Sequence, residues 1–163
     1  RANGCEDFLM GIEIERKFLV NDTAFLAGLS GRRLAQGYLA DDGSTSVRVR
    51  LDGECGLLTV KHGRDSLGRL EFEYPIPADD ARRMLADACR GPLIDKTRFD
   101  VIVDGSHWEV DVFHGENDGL VVAEIELPAA DAPYARPAWL GAEVTADPRY
   151  LNVNLARHPW RRW

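Results

Sequence analysis

The sequence predicts a mainly β fold in which eight antiparallel strands close into a barrel, a tunnel with a charged interior and helices packed outside it. Polar and apolar residues alternate with a period of two in eight separate segments, which is typical of strands with two unlike faces. Most of these segments are joined by short connections containing Gly or Asp, which favour antiparallel neighbours. Closure of the sheet would also hide the strand edges.

The first predicted strand shows the alternation clearly. In GIEIERKFLV, Glu13, Glu15 and Lys17 share one face and Ile14 lies on the other. The turn DGS is expected to join the sixth and seventh strands as a hairpin. The predicted strands cover residues 11–20, 33–40, 45–51, 56–62, 69–76, 96–103, 107–113 and 120–127.

Three segments are predicted to be helical. The segment ADDARRMLADACRG at 78–91 has an acidic first turn, Ala, Leu and Met at helical spacing, and a Gly-Pro stop. A minor helix at 22–29 fits between the first two strands. A short helix over 147–157 is expected to finish the fold.

Length and composition limit the classes of protein to which the chain can belong. At 163 residues the chain is expected to form one domain over 10–163, with residues 1–9 as an upstream extension because Met10 directly precedes the first strand. A net charge of −7 argues against a nucleic-acid binder, and no apolar run is long enough to span a membrane. The three cysteines have no metal-ligand spacing, which favours reduced thiols and a cytoplasmic location.

The polar residues of the eight strands form a charged face that could point to water or into the barrel. Charges of one sign pair up within a strand, as in Arg48 and Arg50 or Glu71 and Glu73, whereas a solvated face would mix signs. This sorting favours an inward charged face, with the apolar face covered by helices and loops. The charged face comprises Glu13, Glu15, Lys17, Gln36, Tyr38, Arg48, Arg50, Thr59, Lys61, Glu71, Glu73, Lys96, Arg98, Glu109, Asp111, Glu124 and Glu126.

The chemistry of this face predicts metal-dependent binding of a polyphosphate. Its arginines and lysines suit phosphate oxygens, and its carboxylates suit Mg²⁺ or Mn²⁺. Six cations against eight acids leave a charge of −2, which repels a polyanion until a divalent ion reverses the sign. The sequence has no Gly-rich phosphate-binding loop, so side chains must hold the phosphates.

The ordered series of motifs resembles the CYTH proteins, the triphosphate tunnel metalloenzymes. The likeness runs from Met10 to the C-terminus and is strongest to short, stand-alone bacterial members; it rests on EIERKFLV, VRVR, TVK, EFE, KTRF, EVDVF, AEIEL and EVTADPRYLNVNLA. It implies an eight-stranded tunnel that encloses a triphosphate with one or two Mg²⁺ or Mn²⁺ ions. It also implies hydrolysis of inorganic triphosphate to pyrophosphate and phosphate, with the terminal helix covering one mouth of the tunnel.

The resemblance assigns roles to individual positions. It implies that the metal ligands are Glu13, Glu15, Asp111, Glu124 and Glu126. It implies that the triphosphate is bound by Lys17, Arg48, Arg50, Lys61 and Arg98. Tyr38 and Lys96 match a catalytic pair associated with tripolyphosphatase activity, and Glu71, Glu73 and Glu109 are expected to support the site.

Several other functions stay open at this point. A class IV adenylate cyclase, a thiamine triphosphatase or a broad nucleoside triphosphatase would use a similar tunnel, and a polyphosphate sensor would use it without catalysis. The intact acid pairs argue against the sensor, and the sequence offers no clear pocket for adenine or thiamine. The expected partner is a small-molecule triphosphate, with neither nucleic acid nor membrane, and a homodimer stays open.

Overall fold

The predicted mainly β, antiparallel architecture is confirmed. The structure is a computed structural model that describes the backbone of residues 10–63 and 67–163 and the side chains of 14–63 and 70–163. Nine strands form one sheet in this part of the chain. They are β1 (Met10–Val20), β2 (Arg32–Asp41), β3 (Thr45–Asp52), β4 (Cys55–His62), β5 (Leu67–Ile76), β6 (Ile94–Val103), β7 (Ser106–Phe113), β8 (Val121–Glu126) and β9 (Leu140–Glu143).

The strand order is β5-β4-β3-β2-β6-β7-β8-β1-β9, and β1 also pairs with β5. The first half of β1, from Met10 to Ile14, pairs with β5, and its second half, from Glu15 to Leu19, pairs with β8. The predicted count of eight strands is one short because β9 was not expected. This strand has only four residues, LGAE, without a clear alternation, and it pairs with the end of β1 at Phe18 and Val20.

The helices are shorter than predicted. Helix α1 (Ala78–Arg83) continues as a π-helical turn to Ala88, and Cys89 is already extended. The helix expected at 22–29 is a single 3₁₀ turn. The last predicted helix is split into a 3₁₀ turn and helix α2 (Asn152–Arg157), because Leu151 between them has an extended backbone.

The apolar face of the sheet is covered from outside, as expected. Phe18 and Trp108 are fully buried and meet edge to face with ring centroids 5.7 Å apart. The loop between β8 and β9 closes over them with Tyr134, whose ring centroid is 5.8 Å from that of Trp108. Farther along the same apolar face, Ala81 of α1 packs against Val49 of β3. The charged face is therefore the face that points away from these layers.

One end of the charged face is apolar, which the sequence analysis did not anticipate. The alternation that places Lys96 and Asp111 on this face continues to Ile94 and Phe113, both buried. Leu155 of α2 packs in the same cluster. The terminal helix thus buries its apolar side against this end of the face, and the charges are confined to the remainder.

Two expectations about the whole chain have simple outcomes. Cys89 is a free thiol, as expected. Within residues 10–63 and 67–163, no helix is long and apolar enough to cross a membrane.

Candidate active site

Side chains from β1 to β8 converge on one cavity of about 370 Å³. That volume lies in the range of small-molecule sites. Residues 151–153, at the start of α2, line part of its wall. Of the predicted site residues, the cavity is lined by Glu15, Lys17, Tyr38, Arg48, Arg50, Lys61, Glu71, Glu73, Arg98, Glu109, Glu124 and Glu126.

Three predicted site residues are not among those that line the cavity. Lys96 and Asp111 are buried behind its wall, with exposed fractions of 1% and 0%. The side chain of Glu13 lies outside the described residues. The structure therefore brings together all five predicted phosphate-binding cations and three of the five predicted metal ligands.

Strand register builds the first half of the cavity wall, which we call the basic cluster. Arg48 lies opposite Thr59, which in turn lies opposite Glu73, and Lys61 lies opposite Glu71. Residues at directly opposed positions share a face, so the side chains of β3, β4 and β5 meet. The basic cluster consists of Arg48, Arg50, Lys61, Glu71 and Glu73.

The basic cluster holds three cations and two acids among its described side chains. Nη2 of Arg50 lies 3.3 and 3.4 Å from the two carboxylate oxygens of Glu73, and Nζ of Lys61 lies 3.0 Å from Oε2 of Glu71. Burial lowers the pKa of Arg50, and the neighbouring Arg48 lowers it further. Burial alone would raise the pKa of Glu73, but Arg50 and the Thr59 hydroxyl outweigh it and hold the pKa low. This crowding of cations favours an added anion.

The second half of the wall comes from β1, β6, β7 and β8, and together with the two residues buried behind it we call it the acidic cluster. At its centre the fully buried carboxylate of Asp111 accepts hydrogen bonds from both neighbouring cations. Nε and Nη2 of Arg98 each lie 2.7 Å from it, and Nζ of Lys96 lies 2.5 Å away. The acidic cluster consists of Glu15, Lys17, Lys96, Arg98, Glu109, Asp111, Glu124 and Glu126.

Burial and partners shift the two lysines of the acidic cluster in opposite directions. Burial would lower the pKa of Lys17, but Glu124 and Glu15 outweigh it and raise the pKa above its ordinary value. Burial lowers the pKa of Lys96 to about 8, because Asp111 offsets only part of the desolvation and Arg98 opposes the charge. Lys17 is thus a permanent cation, whereas Lys96 can lose its proton near neutral pH.

The carboxylates of the acidic cluster fit a divalent cation. Glu15 lies directly opposite Glu126 on β8, and Glu109 of β7 lies directly opposite Glu124. Like charges at opposed positions destabilise a sheet unless a cation lies between them. Carboxylate oxygens are the donors that Mg²⁺ and Mn²⁺ prefer.

The described side chains do not yet form a ligand shell. No three His, Cys, Asp or Glu among them are arranged to hold one ion. Instead, Lys17 stands between two of the carboxylates, in contact with Glu124 and 3.6 Å from Glu15.

Tyr38 and Lys96 are not neighbours in the sheet. Lys96 lies opposite Leu34 of β2, and Tyr38 follows four residues later along that strand. At about 3.3 Å per residue this is roughly 13 Å along the strand. Tyr38 lies opposite Arg48, beside the basic cluster, whereas Lys96 contacts Asp111. The backbone therefore places the two residues at different points along the charged face.

Some residues of the cavity wall were missed by the sequence analysis. They come from the β6–β7 turn, from the start of β7, from the loop after β8 and from the start of α2, and include Ser106, His107, Tyr134 and Asn152. The loop residues follow no period, so no pattern in the sequence marks them, whereas His107 continues the alternation of Glu109 and Asp111 on β7 and could have been found by it. His107 had been assigned no role, and its ring lies 2.9 Å from Asp100.

Comparison with known proteins supports the resemblance to the CYTH proteins along nearly the whole chain. The model of the CYTH domain matches residues 11–158. An inorganic triphosphatase from Acetivibrio thermocellus is 47% identical over 154 residues, which cover 94% of this chain and 99% of the relative. An inorganic triphosphatase from Nitrosomonas europaea is 40% identical over 149 residues, covering 88% and 96%. The crystal structure of an inorganic triphosphatase matches with a TM-score of 0.64 at 36% identity, covering 88% of this chain and 93% of that one.

Proposed function

The chain belongs to the CYTH domain family, and we propose that it is a metal-dependent inorganic triphosphatase that hydrolyses tripolyphosphate to pyrophosphate and phosphate. One observation carries this proposal: five cations and six carboxylates from seven strands line a single cavity. The two triphosphatase relatives match along almost the full length of the chain, and the matches cover 99% and 96% of the relatives.

The substrate lies in a tunnel formed by the charged face. The pairing of β1 with both β5 and β8 supports this geometry, because β1 then joins the two arms of the sheet. The tunnel is narrowed at the α2 end, where Tyr150 and Leu155 belong to the apolar cluster on the same face.

Metal binds on the acidic side of the tunnel. Glu15, Glu124 and Glu126 supply oxygen donors there, and Glu13, whose side chain lies outside the described residues, stays a predicted ligand. Asp111 could join them only by leaving Lys96 or Arg98, so its role as a ligand stays a prediction. When bound, a divalent ion would neutralise phosphate charge and polarise the phosphoanhydride. The resemblance to the family leaves the choice between Mg²⁺ and Mn²⁺ open.

The phosphates bind to Arg48, Arg50 and Lys61 of the basic cluster and to Lys17 and Arg98 across the cavity. The contacts of Arg50 to Glu73 are at the long end of the hydrogen-bond range and are readily exchanged for phosphate oxygens. Glu71, Glu73 and Glu109 hold these cations in place before the substrate arrives. Preorganised cations of this kind stabilise the charge that develops as the phosphoanhydride breaks.

Tyr38 and Lys96 act at separate places in this tunnel. The Lys96 ammonium, on the acidic side, stabilises charge on the attacked or leaving phosphate. The Tyr38 hydroxyl, beside Arg48, orients a phosphate group or the attacking water. A cytoplasmic location and a homodimer remain predictions from the sequence.

Replacement of Glu15 by Gln tests the proposal. The variant should fold like the wild type but lose phosphate release from tripolyphosphate, with weaker Mg²⁺ and Mn²⁺ binding by calorimetry, because one oxygen donor has lost its charge. The matched control is Glu54→Gln on the protein surface, where the carboxylate is 84% exposed and pairs with Arg82. Near wild-type turnover of Glu15→Gln at saturating metal would refute the metal assignment.

A further inference from the structure

Gln36 is a fully buried residue on the charged face for which neither the family resemblance nor the proposed mechanism has a role. Its exposed fraction is 0%, and neither Oε1 nor Nε2 has a hydrogen-bond partner among the described residues. Tyr38, two residues along β2, lines the cavity, so Gln36 lies on the same face. Gln36 itself is not part of the cavity lining. Buried amides are almost always hydrogen-bonded in native proteins, so this one calls for an explanation.

The neighbour of Gln36 across the sheet also has a buried polar atom without a hydrogen-bond partner. Arg50 lies directly opposite Gln36 across the β2–β3 pair, and its Nε is also buried without a hydrogen-bond partner. The Arg50 guanidinium uses Nη2 to reach Glu73 on β5, away from β2. Directly opposed side chains in a sheet have Cβ atoms only about 5 Å apart, so an amide oxygen of Gln36 can reach Nε–H of Arg50.

The unsatisfied atoms of the two residues can satisfy each other. Arg50 lacks an acceptor for Nε–H, and Gln36 offers an acceptor in Oε1. Leaving three polar atoms unsatisfied on two opposed residues destabilises the ligand-free form, since each has given up water without gaining a partner. A rotation of the guanidinium away from Glu73 would satisfy two of the three at once.

We propose that Gln36 is a positioning residue for Arg50: when a triphosphate draws the guanidinium away from Glu73, Oε1 of Gln36 accepts Nε–H and fixes the Nη groups toward the phosphate. This proposal rests on the function proposed above. Gln36 touches the substrate only through Arg50 and contributes to substrate affinity, not to the chemical step. A planar guanidinium held at Nε presents a fixed pair of donors, which a lysine could not do.

Kinetics of Gln36→Met, Arg50→Lys and the double variant test the proposal. Methionine keeps the length of the side chain without its polar atoms, and lysine keeps the charge without Nε–H. Gln36→Met should raise KM for tripolyphosphate about tenfold with little change in kcat. It should have no further effect in the Arg50→Lys background. The ligand-free Gln36→Met variant should melt no lower than the wild type, because the substitution removes two unsatisfied polar atoms.

A second readout does not depend on activity. Gln36 is the only glutamine in the sequence, so labelling with ¹⁵N-glutamine gives a single side-chain amide signal. Titration with an imido analogue of tripolyphosphate in the presence of Mg²⁺ should shift this signal in the wild type and leave it unchanged in Arg50→Lys.

The outcomes separate this inference from the function on which it rests. Phosphate release by the wild type reports the proposed function. If the wild type is active but Gln36→Met leaves KM unchanged, or if the effects of the two substitutions multiply, the role of Gln36 is refuted and the function stands. A lowered melting temperature with unchanged KM would show a purely structural residue and would likewise overturn the proposal.

Discussion

Lysine is used in this chain only on the charged face. The sequence has three lysines, Lys17, Lys61 and Lys96, and each contacts a carboxylate there, whereas all other cationic side chains, histidine aside, are arginines. An ammonium is a compact charge whose pKa shifts readily on burial, while a guanidinium stays charged. This difference explains why one residue type can supply both a permanent cation at Lys17 and a titratable group at Lys96.

Substitution of Tyr38 and Lys96 tests their separate placement. Tyr38→Phe and Lys96→Ala should each lower kcat/KM for tripolyphosphate and reduce its preference over ATP. Because Tyr38 lines the cavity beside the basic cluster and Lys96 is buried behind its acidic side, the loss in the double variant should be the product of the single losses. Steady-state kinetics on both substrates measure this.

The control for this pair is Tyr74→Phe, which removes the same hydroxyl from a tyrosine on β5 that is 45% exposed and outside the cavity lining. It should leave kcat/KM unchanged. A double variant no worse than the poorer single variant would contradict the separation, because residues that act as one unit are strongly non-additive.

At the level of single residues, period-two alternation predicted which residues share the cavity, because a strand places every second side chain on one face. It could not predict that Asp111 would bind two cations behind the wall. It could not predict either that Lys96 would lie opposite Leu34, four residues before Tyr38 on β2. Register depends on how strands pair, and a single strand does not encode it.

Among the elements, the turn between β2 and β3 shows how one carboxylate fixes a connection. Oδ1 of Asp42 accepts hydrogen bonds from the backbone N–H groups of Ser44 and Thr45, at 2.8 and 2.7 Å, and from the Ser44 hydroxyl. Gly43 between them has a φ of +87°, which favours glycine. These bonds lower the pKa of Asp42 to about 2.

The lowered pKa predicts how the stability of this turn depends on pH. The folded-state pKa of Asp42 is about 2 and its ordinary value is 3.8, so the folded state holds the proton less tightly. The stabilisation is therefore complete above about pH 4 and is lost as the pH falls toward 2. Asp42→Ala should lower the free energy of unfolding at pH 7, and the difference from wild type should shrink between pH 4 and 2.

Denaturant unfolding of wild type, Asp42→Ala and Asp42→Asn over this pH range measures the effect. Asparagine keeps an acceptor oxygen but does not ionise, so this variant should lose the pH-dependent contribution and retain part of the stability. A constant difference between wild type and Asp42→Ala down to pH 2 would contradict the account.

The sequence predicted elements well where the pattern was strong. All eight predicted strands exist, because charge and apolar residues alternate in each of them. The short β9 lacks that alternation, and its pairing with β1 is fixed by tertiary contacts instead. The terminal helix was predicted too long because Asp147 caps the 3₁₀ turn that begins at Pro148, which ends before α2 starts.

Over the whole molecule, the two clusters divide the charge of the cavity unevenly. Among the described side chains, the basic cluster has three cations for two acids, and the acidic cluster has three cations for five acids. A triphosphate with a bound divalent ion has the complementary division, with anionic oxygens at one side and a metal at the other. A site suited to an anion thus occurs in a chain whose net charge is −7. Composition alone could not reveal this, because it carries no information on position.

The central claim is that this cavity selects inorganic tripolyphosphate. The described strand residues of the charged face hold no cluster of aromatic or amide side chains for a nucleobase or thiazolium ring, so selectivity must come from the phosphates themselves. We expect kcat/KM for tripolyphosphate to exceed that for ATP and thiamine triphosphate by at least about tenfold, or about 1.4 kcal/mol of transition-state discrimination.

Phosphate release from the three substrates, with Mg²⁺ and with Mn²⁺ and with cyclic AMP assayed alongside, tests this claim most directly. The account predicts rapid, metal-dependent release from tripolyphosphate, slow release from the other two, and no cyclic AMP. Faster turnover of ATP, or accumulation of cyclic AMP and pyrophosphate, would contradict it and would favour a nucleotide as the substrate.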